Sequence, residues 1–302
     1  MINTRVHSFN KKDYFAIFKD KLKKRIIDLN INSPFYKRLY RRVYKNINEN
    51  DFDLNFFTEL VPFTNKDDLK RHFPFGFLKT DISNIVSYFE SSGSSDASIL
   101  SSRACSMKTL HDLKRDYKKR IPADLSMIKG CFTLIHLPYS FTSSALSFHQ
   151  AFQNQGFIPV NIDQGHIFSS YSRLYDLLQN LQAKILVTSN PFLVRDIILF
   201  EHNKDIFKSS SIEYIITVGT TISQKIINKI NDEYNIKILP YYGLSEFGSV
   251  GVPCSNGKMH AAEDFFLEIY NPTVTNDNQS EQIGEIVISD IYSEGTPIFR
   301  YK

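Results

Sequence analysis

A chain of 302 residues with 42% apolar and 23% charged residues buries a substantial core, and its 12 glycines and 11 prolines exclude collagen-like and disordered classes. The formal net charge of +4 is too small to imply nucleic acid by itself. Three separated cysteines, Cys105, Cys131 and Cys254, exclude a disulfide scaffold and fit a reducing cytoplasm. Residues 11–45 hold twelve Lys or Arg against Asp13, Asp20 and Asp28, which leaves the rest of the chain net acidic. Tyr14, Phe18, Leu22 and Ile26 recur every four residues there, so the run reads as the solvated face of a core-packed helix over 11–29. A second helix is expected after Pro34, and a third after the cap-like Thr64 and Asn65. The first ten residues are polar with no apolar stretch after them, and no run approaches the ~18–20 apolar residues of a membrane span, so a cytoplasmic protein with no membrane span is expected. The reading of the basic helix as a solvated face leaves no nucleic-acid partner.

From residue 83 short β-rich runs alternate with helix-length amphipathic ones. The expected order is strand 85–89, a serine-rich turn, helix 106–120, strand 131–137, helix 143–155, strand 157–160 and helix 168–181. Strand 184–188, a helix from Pro191, strand 212–218, helix 222–234 and strand 236–239 follow. This alternation predicts an α/β fold with a mainly parallel sheet covered on both faces. After residue 250 the helices stop, and 265–270 and 283–289 read as strands around a turn-rich segment at 271–280. The organisation expected is a helical segment over 1–82, an α/β nucleotide-binding core over 83–250 and a β-rich end over 251–302.

Three turns carry candidate chemistry. Ser91, Ser92, Gly93, Ser94 and Ser95 lie between two strands, where small hydroxyl residues around a glycine turn backbone amides toward an anion such as phosphate, or form a plain loop. Gly219, Thr220 and Thr221 end one strand and either present amides and hydroxyls to a ligand or cap the next helix. Tyr241, Tyr242, Gly243, Leu244, Ser245 and Glu246 follow the strand 236–239, in the position where open α/β sheets bind ligands. A tyrosine ring there stacks on a base, and a carboxylate beside phosphate oxygens suits Mg²⁺. Cys254, His260, Glu263 and Asp264 lie within eleven residues, which fits either a zinc site on Cys254 and His260 or a buried cysteine with locally bonded polar neighbours. His136, His149 and His166 read as structural, and no G-x-S-x-G elbow is present, so a serine hydrolase is not expected.

Together the serine-rich turn, the Gly-Thr-Thr turn, "YYGLSEFGSVGVPC" and "GEIVISDIYSEGTPIFRY" resemble, in content and order, the adenylate-forming enzymes. The likeness is to the branch of phenylacetate–CoA ligase and coenzyme F390 synthetase, which includes proteins of capsule and O-antigen clusters. "NSPFYKRLY" and "LVPFTNKDDLK" resemble that branch's N-terminal region, and "HAAEDFFLEIYNP" its later part. The resemblance implies the large domain of such an enzyme. It also implies a two-step reaction in which ATP and a small carboxylic acid give an acyl-adenylate, and a thiol such as coenzyme A then takes the acyl group. By the same resemblance Ser91 to Ser95 hold the pyrophosphate end of ATP. Tyr242 packs on adenine, Glu246 coordinates Mg²⁺, and Gly219, Thr220 and Thr221 line the adenine side beside Gly243 and Ser245. Tyr139, in "LPYSFTSSALSF", matches the acyl-pocket segment.

Two departures from the family pattern shape the expectation. The phosphate loop continues as Gly, Lys and Pro in the family but as Asp96, Ala97 and Ser98 here, which removes a cation and puts a negative charge near the triphosphate. ATP binding is expected to weaken unless Asp96 points away or helps hold the metal. After "IFRY" the family continues with a ribose-binding Asp, a hinge and a small lid domain carrying a catalytic lysine, and Lys302 is not that lysine. The resemblance therefore implies a chain without its lid, active only if a separate partner supplies one or only residually without it. A non-catalytic nucleotide-binding remnant and an acyl-protein synthetase are the alternatives.

Overall fold

The structure is a computed structural model that describes residues 11–47, 52–90, 105–164, 166, 170–193, 204–219, 222–254, 258–274 and 282–302. These residues group into two compact units, Leu113–Ala262 and a second that joins the chain up to Asp112 with Glu263–Lys302. Ser91 to Ser95, Asp96, Ala97, Ser98, Thr220 and Thr221 lie outside the described residues.

Helix α1 (Lys11–Asn32) buries Phe15, Leu22, Arg25, Ile26 and Leu29. The predicted every-fourth stripe drifts off this face, because 3.6 residues per turn rotates successive i+4 positions by about 40°. Tyr14 and Phe18 end up half-buried at its edge, Tyr14 stacked on Phe266 with ring centroids 5.1 Å apart. Helix α2 (Pro34–Leu39) opens on a proline in its first turn, where no backbone donor is needed, and α3 (Arg41–Asn46) follows. Helix α4 (Leu54–Leu60), not anticipated from the sequence, is capped by Asp53, which accepts from the Phe56 amide at 2.8 Å. Helix α5 (Lys66–Arg71) starts as expected after Thr64 and Asn65, in a reciprocal capping box between Asn65 and Asp68.

Strand β1 (Ile85–Glu90) pairs antiparallel with β2 (Cys105–Thr109). The predicted helix over 106–120 is therefore corrected: its first residues are strand, and α6 (Leu110–Lys119) begins after Thr109. A second capping box sets that start, with the Thr109 amide donating to Asp112 at 3.0 Å and the Asp112 amide donating to the Thr109 hydroxyl at 3.2 Å. The other Asp112 contacts run to the loop near the chain end, where the Glu294 and Gly295 amides donate to its carboxylate at 2.8 and 2.9 Å. Burial alone would raise the Asp112 pKa, but the Lys108 charge and the three amides hold it below the usual carboxylate value. The stability it contributes is present above the unfolded value near ~3.9 and is lost as pH falls through the lower folded value. Asp112→Ala is expected to cost about 2–3 kcal/mol at pH 7, with the gap to wild type narrowing at pH 3, as read by urea unfolding at both pH values.

The Leu113–Ala262 unit alternates as predicted. Strand β3 (Phe132–His136), helix α7 (Ser143–Asn154), strand β4 (Ile158–Asn161), helix α8 (Tyr171–Asn180) and strand β5 (Ile185–Ser189) come first. A short α9 (Asn190–Phe192), α10 (Lys204–Ser209), β6 (Tyr214–Val218), α11 (Gln224–Tyr234) and β7 (Lys237–Pro240) complete the run. The strands form one parallel sheet in the order β4-β3-β5-β6-β7. Leu134, Leu186, Ile215 and Ile238 lie in register across it and form one core with Leu174 and Leu178 of α8, Phe207 of α10 and Ile230 of α11. A strand covered on both faces reads as a continuous apolar run, and β5 is buried from Ile185 through Thr188.

Three short strands not foreseen from the sequence follow, β8 (Tyr242–Leu244), β9 (Gly248–Pro253) and β10 (Met259–Ala261), antiparallel in the order β10-β9-β8. In the second unit β11 (Phe265–Val274) and β12 (Gln282–Asp290) pair antiparallel as the sequence indicated. Among the described residues no helix is long and apolar enough to cross a membrane.

Candidate functional site

The strands of the main sheet are parallel, so their carboxyl ends share one edge, where open α/β sheets bind ligands. β6 ends at Val218, and Gly219 turns the chain out with a φ of +101°, a conformation that side chains rarely adopt. On the neighbouring strand the Tyr241 amide donates to the Thr217 carbonyl at 2.8 Å, so the two exits lie side by side. Tyr241 is buried. Its hydroxyl donates to the Arg120 carbonyl at 2.5 Å, its ring meets Phe148 edge-on at 5.4 Å, and burial pushes its phenol up.

Tyr242, half-buried, opens β8, and the chain reverses at once. The Phe247 amide donates to the Leu244 carbonyl at 3.1 Å, closing a four-residue turn that carries Ser245 and Glu246 before β9 begins. Glu246 is 6% exposed. Burial and, after it, the Glu246 charge push the Tyr242 phenol up, so the ring and the carboxylate sense one another. Glycines permit this tight hairpin. A Cβ at Gly243 would stand 2.7 Å from the Gly248 carbonyl oxygen, and Gly248 itself holds a φ of +84°. Gly243→Ala is expected to force the two strands apart and cost about 1–3 kcal/mol, checked by thermal unfolding against wild type.

Tyr139 follows β3 on the same edge of the sheet. Its amide donates to Asp163 at 2.9 Å and its hydroxyl donates to the Asn161 side-chain oxygen, which also lies 2.6 Å from Nδ1 of His149. Burial and the Asp163 charge push its phenol up. Tyr139, Gly219, Tyr242, Gly243, Ser245 and Glu246 thus all belong to the carboxyl edge or to the hairpin that leaves it. Cys254 follows β9 and His260 lies on β10 opposite Val252. Among the described residues, no group of three or more His, Cys, Asp or Glu side chains is placed to hold a metal ion together. Sequence reasoning did not single out Asp116, Arg120, Asn161 or Asp163, all of which bond to the segments that carry these candidates. The i, i+4 spacing of Asp116 and Arg120 was the available signal, and such pairs commonly mark a solvated helix face.

Set against known proteins, the chain is 23% identical over 298 residues to phenylacetate-coenzyme A ligase of Thermus thermophilus, across 95% of this chain. It spans 63% of that relative's length. Among solved structures it matches 2-hydroxyisobutyryl-CoA ligase in the postadenylation state with 2-HIB-AMP, with a TM-score of 0.78 and 14% identity over 98% of this chain and 63% of that one. The chain has the fold of the large domain of adenylate-forming enzymes. A partial match to ATP-bound MatB from Rhodopseudomonas palustris has a TM-score of 0.52 and 12% identity, over 72% of this chain and 42% of that one. No protein-family model matches the chain.

Proposed function

We propose that the chain is the large-domain portion of an adenylate-forming ligase that activates a small carboxylic acid with ATP and delivers it to a thiol such as coenzyme A. The observation that carries this reading is the hairpin at the carboxyl edge of the sheet, which holds an aromatic ring and a buried carboxylate within one tight turn. The similarity to phenylacetate-coenzyme A ligase over nearly the whole chain supports it.

In this reading Tyr242 packs on the adenine, beside Gly219 and the Thr220 and Thr221 that follow it. Ser91, Ser92, Gly93, Ser94 and Ser95 meet the pyrophosphate end of ATP. Tyr139, at the end of β3, lies toward the acid. A single protein carboxylate together with phosphate oxygens is a donor set that suits Mg²⁺, so Glu246, with Gly243 and Ser245 setting its turn, fits that metal. When bound, Mg²⁺ offsets charge on the phosphates as the acid attacks. The carboxylate oxygen of the acid bonds to the α-phosphorus while the bond to pyrophosphate breaks. The thiol sulfur then bonds to the acyl carbon and AMP leaves.

The test is incubation of the chain with ATP, Mg²⁺ and a panel of aryl, aliphatic and hydroxy acids, with pyrophosphate and acyl-AMP followed by mass spectrometry. Acid-dependent pyrophosphate release is expected with at least one class. ATP binding with no release for any acid, alone or with a lid domain added in trans, would favour a nucleotide-binding module instead.

A further inference from the structure

We propose that Asp116, on α6, and Arg120, the residue that follows this helix, are positioning residues that set the hairpin bearing Tyr242 and Glu246; the nucleotide-binding part of this inference rests on the function proposed above. The two residues reach the hairpin at its two roots, Arg120 through its backbone carbonyl and Asp116 through its carboxylate. Upstream, the Arg120 carbonyl accepts the Tyr241 hydroxyl at 2.5 Å, one residue before β8. Downstream, Asp116 Oδ1 lies 3.5 Å from the Ser249 amide and fills the space beside Gly248, where a Cβ would stand 2.9 Å from it. Gly248, with its φ of +84°, is therefore both the bend of the hairpin and the space that Asp116 requires.

The pair is itself locked. Arg120 Nε and Nη2 each reach Asp116 Oδ2 at 2.8 Å, and the guanidinium lies over the Phe148 ring at 5.0 Å. Phe148 in turn lies edge-to-face with Tyr241, so Arg120, Phe148 and Tyr241 close a ring of contacts to which the Asp116 carboxylate is tied. Arg120 is only 2% exposed. Burial removes the usual justification for an i, i+4 ion pair, since desolvating two charges offsets most of their attraction and an apolar replacement of similar volume is often no less stable. What an apolar side chain cannot reproduce is the directional contact of the carboxylate with the Ser249 amide. The arrangement thus fixes geometry more than it adds stability.

The experiment compares Arg120→Met, Arg120→Lys and Asp116→Asn with wild type by amide hydrogen exchange and by MgATP-dependent kinetics. In Arg120→Met and Asp116→Asn, exchange over residues 242–250 is expected to rise about tenfold or more while β5 keeps its protection. Each variant leaves one charge without its partner, so the melting temperature falls as well, and the double variant Arg120→Met/Asp116→Asn is expected to recover the melting temperature but not the hairpin protection. The KM for MgATP is expected to rise about tenfold to a hundredfold with kcat changed far less, and Arg120→Lys is expected to recover part of both. Unchanged hairpin exchange in both variants, or loosening spread evenly through the sheet, would overturn the assignment. If wild type releases no pyrophosphate, the proposed function fails, and the exchange pattern still decides whether the pair positions the hairpin.

Discussion

Glu246→Gln is expected to lower acid-dependent pyrophosphate release by about a hundredfold to a thousandfold, the range associated with losing one electrostatic contact to a transition state. Glutamine preserves the volume of a side chain that is 6% exposed, so the turn between β8 and β9 is retained and the melting temperature is expected to change little. What disappears is the full negative charge that, in the proposed function, meets Mg²⁺ and the phosphates, and a neutral amide is a poor ligand for a hard cation. The signature is in the metal dependence as much as in the rate: half-saturation should move to higher Mg²⁺ in the variant. Tyr242→Phe serves as the control because it keeps the ring, whereas Tyr242→Ala should weaken nucleotide binding without altering the Mg²⁺ response. A Glu246→Gln enzyme with a wild-type Mg²⁺ profile would contradict the metal role.

The largest stability effect is expected at Arg300. Its guanidinium reaches Glu268 with Nε at 3.1 Å and Nη2 at 2.8 Å. Nη1 donates to the carbonyls of Phe57 at 3.0 Å, Thr58 at 3.2 Å and Val61. The same group lies over Phe57 at 4.8 Å and Phe63 at 4.3 Å, and the Arg300 carbonyl accepts the Thr64 amide at 2.9 Å. One buried residue therefore ties β11, the end of α4 and the start of α5 together within the second unit. Arg300→Ala leaves the Glu268 carboxylate and three carbonyls without this partner, and a loss of about 3–5 kcal/mol is expected from equilibrium urea unfolding. Arg300→Lys keeps the charge but not the planar fork, so it should recover only a minor part. A loss under about 1 kcal/mol in Arg300→Ala would show that the network contributes little.

The parallel sheet was legible because β5 and β6 are continuous apolar runs and α8 and α11 carry clear stripes at helical spacing. Strand β2 was not legible. Cys105–Thr109 includes Ser106 and Lys108, and both are buried in pairing that spans distant sequence. The lysine and serine therefore masked an all-buried strand, and its residues merged with the amphipathic helix that follows. β8 and β10 have three residues each, too few to show a period, and the glycines that allow their pairing read as a loop.

The site divides in the same way. Tyr242 and Glu246 announce themselves because an aromatic and a carboxylate flank a glycine directly after a strand. Asp116 and Arg120 do not, since their meaning comes from contact with residues more than a hundred positions away. α6 and the residue after it look in sequence like an ordinary charged helix, and only the fold shows that the Arg120 side of the Asp116–Arg120 pair is buried.

The most direct measurement is a crystal structure of the chain with Mg²⁺ and a nonhydrolysable ATP analogue. The adenine is expected against the Tyr242 ring beside Gly219, with a metal ion bound by the Glu246 carboxylate and phosphate oxygens. An analogue bound away from this hairpin, or a metal with no contact to Glu246, would contradict the proposed function.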